Sequence, residues 1–457
     1  MILRVPGPQR QPRRTASPPF PAEARLRSRQ LTQRIREALA PSDGFLSFHD
    51  FQQMALYAPG LGYYVNGWRK LGAEGDFVTA PEISPLFGAT LAQWLAPLWQ
   101  QMPAEVLEYG AGSGRLALAF LQELESLGIL PVRYRILEIS PDLRAEQQER
   151  LRAALSPAVW ERVEWLDRLP SRPMRGIILA NEVLDALPVE VFRWESGRVW
   201  QVGVCSQHGE PRPDEPRHTA EYTDPATRGT ASGTASGVSS GEAGFPHPGF
   251  REARLRDVCE DDATVFTWAG RLAAPALADP VHRLHQRYGP WPDGYVSEWR
   301  PALKAWVATL ADCLEEGLIW LADYGFPGAA YYAPERVMGT LQGYSRQRSV
   351  ANPLEHPGLV DLTASVDFTA VAEAANAADL QVLSYAAQGE FLLGAGLPDV
   401  FSRRISATND PRVTHSLAQQ VRWLTLPGEM GERFQVMLLG RRCGLPSAEF
   451  PDRRERL

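Results

Sequence analysis

Val106-Leu-Glu-Tyr-Gly-Ala-Gly-Ser-Gly-Arg115 decides the fold of this 457-residue chain. A short apolar strand pattern runs into Gly110, Gly112 and Gly114 and then into a helical pattern. Glycines at such a junction let the backbone turn sharply and approach a ligand with no Cβ in the way, beside the unpaired amides of a helix start. The spacing then separates ligand classes. The dinucleotide fingerprint G-x-G-x-x-G needs glycine where Arg115 stands, whereas this chain reads E-x-G-x-G-x-G with Glu108 on the strand itself.

S-adenosylmethionine carries no pyrophosphate but ends in a zwitterionic methionine tail, so an acid able to reach an ammonium group suits it. A second acid, Glu138 in Tyr134-Arg-Ile-Leu-Glu-Ile-Ser140, stands at the end of the next strand, where a carboxylate can accept hydrogen bonds from both ribose hydroxyls. Together the glycine turn, Glu108 and Glu138 favour S-adenosyl-L-methionine as the cofactor.

Outward from this centre, residues 105–109, 135–139 and 176–180 read as buried strands, with helices over 115–125 and 141–151. Such alternation implies a parallel sheet covered on both faces. Upstream, Ser84 caps a helix that has Pro85 in its first turn. Leu86, Phe87, Leu91, Trp94, Leu95, Leu98 and Trp99 then recur at helical spacing as a core stripe. Downstream, residues 189–194 and 199–204 read as a hairpin about Glu195, Ser196 and Gly197. Helices are expected over 280–288 and 301–314, and a strand over 318–323 resumes the sheet. A helix near 370–378 and strands over 380–385 and 434–439 complete it.

Ile178-Leu-Ala-Asn-Glu-Val-Leu-Asp-Ala-Leu-Pro188 leaves a strand beside the glycine-rich one, and ligands of open α/β sheets sit beyond such carboxyl ends. Asn181, Glu182 and Asp185 are therefore expected to face the transferable methyl group.

Composition bounds the rest. At 44% hydrophobic and 22% charged residues, most of the chain can bury a core. The formal charge is −7, and lysine occurs only at Lys70 and Lys304, so arginine supplies the positive charge. Codon bias explains that skew, together with abundant Ala, Pro and Gly, better than a nucleic-acid surface does. Cys205, Cys259, Cys313 and Cys443 stand far apart, which fits a reducing compartment and neither a disulfide framework nor structural zinc. His282 and His285 lack a third ligand at metal spacing, and no metal is expected. No run approaches the roughly 20 apolar residues that a spanning helix needs, so a cytoplasmic protein without membrane insertion is expected, with the mitochondrial matrix as the alternative. Tyr57, Tyr63, Tyr64 and Trp68 read as packing aromatics rather than as a groove.

Thr79-Ala-Pro-Glu-Ile-Ser84 after Gly75-Asp-Phe77, the glycine turn, Asn181-Glu-Val-Leu-Asp-Ala-Leu-Pro188, Asp323-Tyr-Gly325, Gly339-Thr-Leu341 and Asp361-Leu-Thr-Ala-Ser-Val-Asp-Phe368 together resemble the MidA family. The resemblance runs from about Phe45 to Gly440 and omits residues 206–244. It implies an α/β fold of the class I, Rossmann-like methyltransferase type: a mostly parallel seven-stranded sheet with helices on both faces plus a helical insertion. The family's mitochondrial member methylates protein arginine and assists assembly of respiratory complex I, so a protein acceptor is implied. Where the family carries histidine, between two arginines after Gly-Thr-Leu and again before Val-Asp-Phe, this chain has Gln347 and Ser365.

The corresponding organisation is a disordered tail over 1–25, an N-terminal helical region over 26–102, a methyltransferase domain in two parts over 103–204 and 316–442, a flexible Gly/Ser/Thr-rich insertion over 205–249, a helical insertion or substrate cap over 250–315, and a tail over 443–457. The tail over 1–25 is Arg-rich and nearly free of acids, with Pro residues that interrupt an amphipathic helix.

An arginine acceptor demands carboxylates that hold a guanidinium and assist proton loss. Glu182 and Asp185 are the expected catalytic residues, with Glu82 and Asp323 in support, and Glu108, Gly110, Gly112, Gly114, Glu138 and Asn181 are expected to bind the cofactor. Three readings stay open: a protein methyltransferase, a small-molecule methyltransferase with a closed apolar pocket, and an assembly factor that binds the cofactor without catalysis.

Overall fold

The computed structural model describes residues 3–4, 20–67, 79–206, 265–346, 348–446 and 450–457. Most of the 1–25 tail, Trp68, Gly75-Asp-Phe77, Cys259, Gln347 and almost all of the 205–249 insertion lie outside the described residues.

The N-terminal region is built on α1 (Ala22–Leu39), α2 (Phe48–Tyr57) and α3 (Pro85–Leu95). Helix α1 buries Ala24, Leu31, Ile35 and Leu39, one stripe at helical spacing. Ser47 caps α2 by accepting from the Asp50 amide, and Ser84 caps α3 by accepting from the Leu86 amide. Nine of the eleven residues of α3 are buried, because the helix lies between the sheet and neighbouring helices. A Cβ at Gly88 would stand 2.9 Å from the Cβ of Ala119, so α3 approaches the helix after the glycine turn at backbone range.

Along the chain there follow β1 (Glu105–Tyr109), α4 (Arg115–Ser126), β2 (Tyr134–Leu137), α5 (Pro141–Ala154), β3 (Val163–Leu166) and β4 (Met174–Asn181). Next come β5 (Glu190–Glu195), β6 (Arg198–Ser206), β7 (Phe266–Leu272), α6 (Pro275–Tyr288), β8 (Tyr295–Trp299) and α7 (Leu303–Asp312). The C-terminal part contributes β9 (Leu314–Phe326), α8 (Phe368–Ala377), β10 (Gln381–Ala387) and β11 (Phe434–Arg441).

The main sheet has the order β10-β11-β9-β4-β1-β2-β3, with the two-residue strand Val366–Asp367 added beside the end of β9. Strands β9, β4, β1, β2 and β3 run parallel to their neighbours, and β11 runs antiparallel between β9 and β10. This is the expected seven-stranded Rossmann-like sheet. Period-two alternation assigns its two faces. Ile177 and Leu179 of β4 pack with Leu318 and Trp320 of β9 against α3 and α4, while Ile178 and Ile319 pack on the other face against α7 and α8.

Strand β3 is the one main-sheet element that the periodicity does not reveal. Its four residues are all half-buried at the sheet edge, so no alternation of apolar and polar positions marks it. The C-terminal 443–457 segment is also more than a tail: the Arg453 amide donates to the Tyr385 carbonyl at 2.7 Å, which docks the segment on β10.

The segment between the two halves of the main sheet departs from a helical insertion. Strands β7, β6, β5 and β8 form a second, antiparallel sheet, on which α6 packs, while α7 packs on the main sheet. Leu46–Ser47, just before α2, pairs with β6, and Leu3–Arg4 pairs with β7. A helix-only reading of this segment missed β7 and β8 because their pairing partners lie far away in sequence. The second sheet packs Phe266 and Trp268 against Phe48 and Phe51. Helix α2 is also tied to the segment that follows β4, through Tyr57 to the Ala186 carbonyl and Gln52 to the Val189 amide.

Candidate active site

The sheet order reverses between β1 and β4, and the crevice beyond their carboxyl ends holds a cavity of about 420 Å³. Its lining draws on α2, the turn at Thr79–Glu82, the glycine turn, Glu138–Leu143, Asn181–Pro188 and Asp361.

At one end, Gly110, Gly112 and Gly114 have φ of +71°, +54° and +80°. Three left-handed positions in five residues are affordable only to glycine, and they bring bare backbone to the cavity wall. Glu108 lies just before them, 2% exposed, and accepts from the Tyr134 hydroxyl at 2.9 Å. Burial lifts its carboxyl to about 8, against the Tyr134 hydrogen bond that lowers it, with the Glu138 charge adding to the rise.

Glu138 is positioned by two donors: the Ser140 amide on Oε1 at 2.9 Å and the Gln147 side-chain amide on Oε2 at 3.0 Å. Gln147, wholly buried on α5, also donates to the Gly112 carbonyl at 2.8 Å and accepts from the Trp165 indole at 2.9 Å. It thereby joins the glycine turn to the acid of β2. Sequence reading missed Gln147, since a glutamine inside a polar helix carries no motif.

At the other end, the backbone leaves β4 through Glu182, a non-glycine residue with φ +55°. The Asn181 amide donates to Glu182 Oε1 at 3.1 Å, and the Ala80 backbone amide reaches the same oxygen at 3.4 Å. Withdrawal from water raises the Glu182 carboxyl to about 8, with the Asp185 charge contributing next. Burial raises Asp185 to about 6, opposed by the Arg300 charge. Glu182, Asp185 and Asn181 all line the cavity, as expected from their place in the sequence.

Asp323 is different. It does not line the cavity; it is fully buried on β9, and its Oδ2 accepts from the Leu184 amide at 2.9 Å and the Asp185 amide at 3.1 Å. Burial and the Asp185 charge hold its carboxyl well above the usual range. Its Oδ1 accepts from the Tyr324 amide at 2.9 Å, so both carboxylate oxygens are held by backbone amides.

Glu82 lines the cavity and is tied down twice, by the Ser113 hydroxyl and by an ion pair with Arg115 at 2.8 Å. It thus clasps the Thr79–Ser84 turn to the glycine turn. Tyr57, Tyr63 and Tyr64 reach the cavity as well, so their rings are wall as much as packing. His282 and His285 do not line the cavity: they pack on Trp194, whose ring stacks with that of His285 at 3.9 Å. Ser365 is buried away from the cavity, its amide donating to the Thr340 hydroxyl and its carbonyl accepting from Arg300.

Residues 90–386 match the model of a family described as S-adenosyl-L-methionine-dependent methyltransferases. The chain belongs to that family. In agreement, a crystal structure of a Burkholderia thailandensis protein bound to S-adenosyl-homocysteine is 32% identical and superposes with a TM-score of 0.79, over 97% of this chain and 100% of that one. A second Burkholderia thailandensis crystal structure, in its native form, gives a TM-score of 0.77 at the same identity and coverage. This methyltransferase is also 26% identical over 417 residues to the zebrafish mitochondrial protein arginine methyltransferase NDUFAF7, covering 86% of this chain and 82% of the relative. Against the human protein of the same name the identity is 26% over 427 residues, 87% of this chain and 80% of the relative. The enzyme is therefore an S-adenosyl-L-methionine-dependent methyltransferase. No helix among its described residues is long and apolar enough to cross a membrane.

Proposed function

We propose that this enzyme methylates arginine on a protein acceptor, with the glycine turn, Glu108 and Glu138 holding the donor and Glu182 and Asp185 serving the acceptor. The observation that carries this reading is the acidity of the cavity wall. Glu182 and Asp185 lie together there, and burial and mutual repulsion hold Glu182 near neutral pH in its protonated range. A small apolar acceptor gains nothing from such a wall, whereas a guanidinium restores the charge balance. The names of the mitochondrial relatives point to the same acceptor class.

The donor set suits the cofactor chemically. Glu108 is a buried carboxyl whose raised affinity for protons an ammonium group reverses, and Glu138, oriented by the Ser140 amide and Gln147, lines the cavity as a carboxylate of the kind that hydroxyls donate to. S-adenosyl-L-methionine supplies, when bound, an electrophilic methyl on a sulfonium. The chain's part is mainly to hold the acceptor nitrogen in line at about 3 to 3.5 Å from that carbon. A guanidinium lone pair is delocalised, and the nitrogen must lose a proton as it is alkylated. Glu182 receives that proton. Asp185 holds the rest of the guanidinium, and Asp323 keeps the Leu184 and Asp185 amides in place from below. Glu82 steadies the glycine turn through Ser113 and Arg115, and Asn181 orients the Glu182 carboxyl.

Radiolabelled methyl incorporation into the lysate of a strain lacking the gene tests this reading. Label in protein, recovered as methylarginine and lost with Glu182→Gln, is expected. Label confined to small molecules, or absent, overturns it.

A further inference from the structure

One wall of the cavity has no role yet: it is contributed by α2, the turn that follows it and the short strand Asp361–Thr363, and it meets the Asn181–Pro188 segment at Ala186. We propose that Tyr57, Tyr64 and Asp361 in this wall form the recognition subsite for a cationic acceptor side chain and select guanidinium over its neutral isostere. The proposal rests on the arginine reading above and adds to it the residues that decide which side chain enters.

Two stretches of chain converge here, residues 57–64 and the strand at Asp361, which lies 297 positions beyond Tyr64. The rings of Tyr57 and Tyr64 stack with centroids 5.5 Å apart and planes 26° from parallel, and Tyr63 meets Tyr64 edge-on at 5.2 Å. Each phenol is anchored. The Tyr57 hydroxyl donates to the Ala186 carbonyl at 2.9 Å, and the Tyr64 hydroxyl lies 3.1 Å from both carboxylate oxygens of Asp361. With the hydroxyls held, both rings are fixed in orientation before any acceptor arrives, so little conformational freedom remains to be lost on binding.

Asp361 is 2% exposed yet lines the cavity, held on a strand that pairs with Gln342–Ser345. Its charge and that of Asp185 both bear on the two phenols, adding to burial in holding them protonated. Arg300, the buried cation near Asp185, donates to the carbonyls of Ser365, Ala364 and Asp185. Aromatic faces beside carboxylates suit a flat, delocalised cation, which offers its face to a ring and its edge N–H groups to oxygen. Citrulline has the same shape without the charge.

The test uses the full-length enzyme saturated with S-adenosylhomocysteine and titrated calorimetrically with N-acetyl-arginine amide and with N-acetyl-citrulline amide. The arginine probe is expected to bind at least roughly tenfold more tightly, the scale of one charge-assisted contact. Asp361→Asn and Tyr57→Leu are each expected to remove most of that preference while S-adenosylhomocysteine affinity stays within about twofold. If both variants bind the arginine probe as the wild type does, the subsite is wrong and the arginine reading stands. If the wild type binds neither probe, or both alike, the subsite and the cationic acceptor fall together. Should Asp361→Asn lose S-adenosylhomocysteine binding through misfolding, Tyr57→Leu decides alone.

Discussion

Gln147 bonds to Glu138: its buried side-chain amide donates to Glu138 Oε2 at 3.0 Å and, from the same nitrogen, to the Gly112 carbonyl at 2.8 Å. One side chain thus sets the distance between the two halves of the donor site. Gln147→Leu keeps the bulk and removes both bonds, together with the one its Oε1 accepts from the Trp165 indole. With each bond to a charged or buried partner contributing about 1 to 3 kcal/mol, S-adenosylhomocysteine affinity is expected to fall by roughly one to two orders of magnitude, read by calorimetry. The fold is expected to survive.

Donor binding is expected to release a proton below about pH 8. Burial holds the free Glu108 carboxyl up at about 8, and an ammonium beside it favours the ionised form. Between pH 6 and 7.5 the free enzyme is protonated there and the complex is not. Calorimetry in buffers of different ionisation enthalpy counts that proton, and Glu108→Gln abolishes it. An equal count in Glu108→Gln assigns the proton to another group.

Glu182 links activity and stability to pH in opposite directions. Its carboxyl sits at about 8, against 4.5 without the surrounding protein, so the folded state holds the proton more tightly than the unfolded state. Its contribution to stability is therefore full below about pH 4.5 and declines as pH rises towards 8. Activity runs the other way, since a protonated Glu182 cannot accept a proton, and kcat/KM for the acceptor is expected to rise to a plateau above about pH 8. Glu182→Gln is expected to flatten part of the stability decline and to abolish the rise in kcat/KM. Thermal melts and initial rates over pH 5 to 9 measure both.

Asp323 separates positioning from contact. Asp323→Leu leaves the Leu184 and Asp185 amides without their acceptor, at about 1 to 3 kcal/mol each, and a clear loss in thermal stability is expected. Asp323→Asn keeps one acceptor oxygen and drops a buried acid. It is expected to fold, to bind S-adenosylhomocysteine normally and to lose kcat, with little change in acceptor KM.

Much of this architecture was legible in the sequence because it rests on local chemistry. The three glycines of the turn, Glu138 at a strand end and the Ser84 cap each announce a backbone geometry that few other residues supply. The resemblance found the Gly339-Thr-Leu341 stretch without its role. Glu298 on β8 accepts from the Thr340 and Leu341 amides at 2.9 Å each, and a Cβ at Gly339 would lie 2.2 Å from that carboxylate, so this motif supports the second sheet. Strands β7 and β8 stayed hidden because their pairing partners are remote in the chain. Gln147 stayed hidden because its function arises from three contacts that only the fold brings together.

The central claim is that the left-handed glycine turn and the strand-end glutamate jointly hold the donor. Calorimetric titration of S-adenosylhomocysteine into the wild type, Gly112→Val and Glu138→Ala tests it most directly. A branched side chain at φ +54° strains the turn, and loss of the carboxylate removes its charge-assisted hydrogen bonds. Saturable one-to-one binding by the wild type and affinities reduced roughly tenfold to hundredfold in each folded variant are predicted. Wild-type affinity in both variants would contradict the assignment.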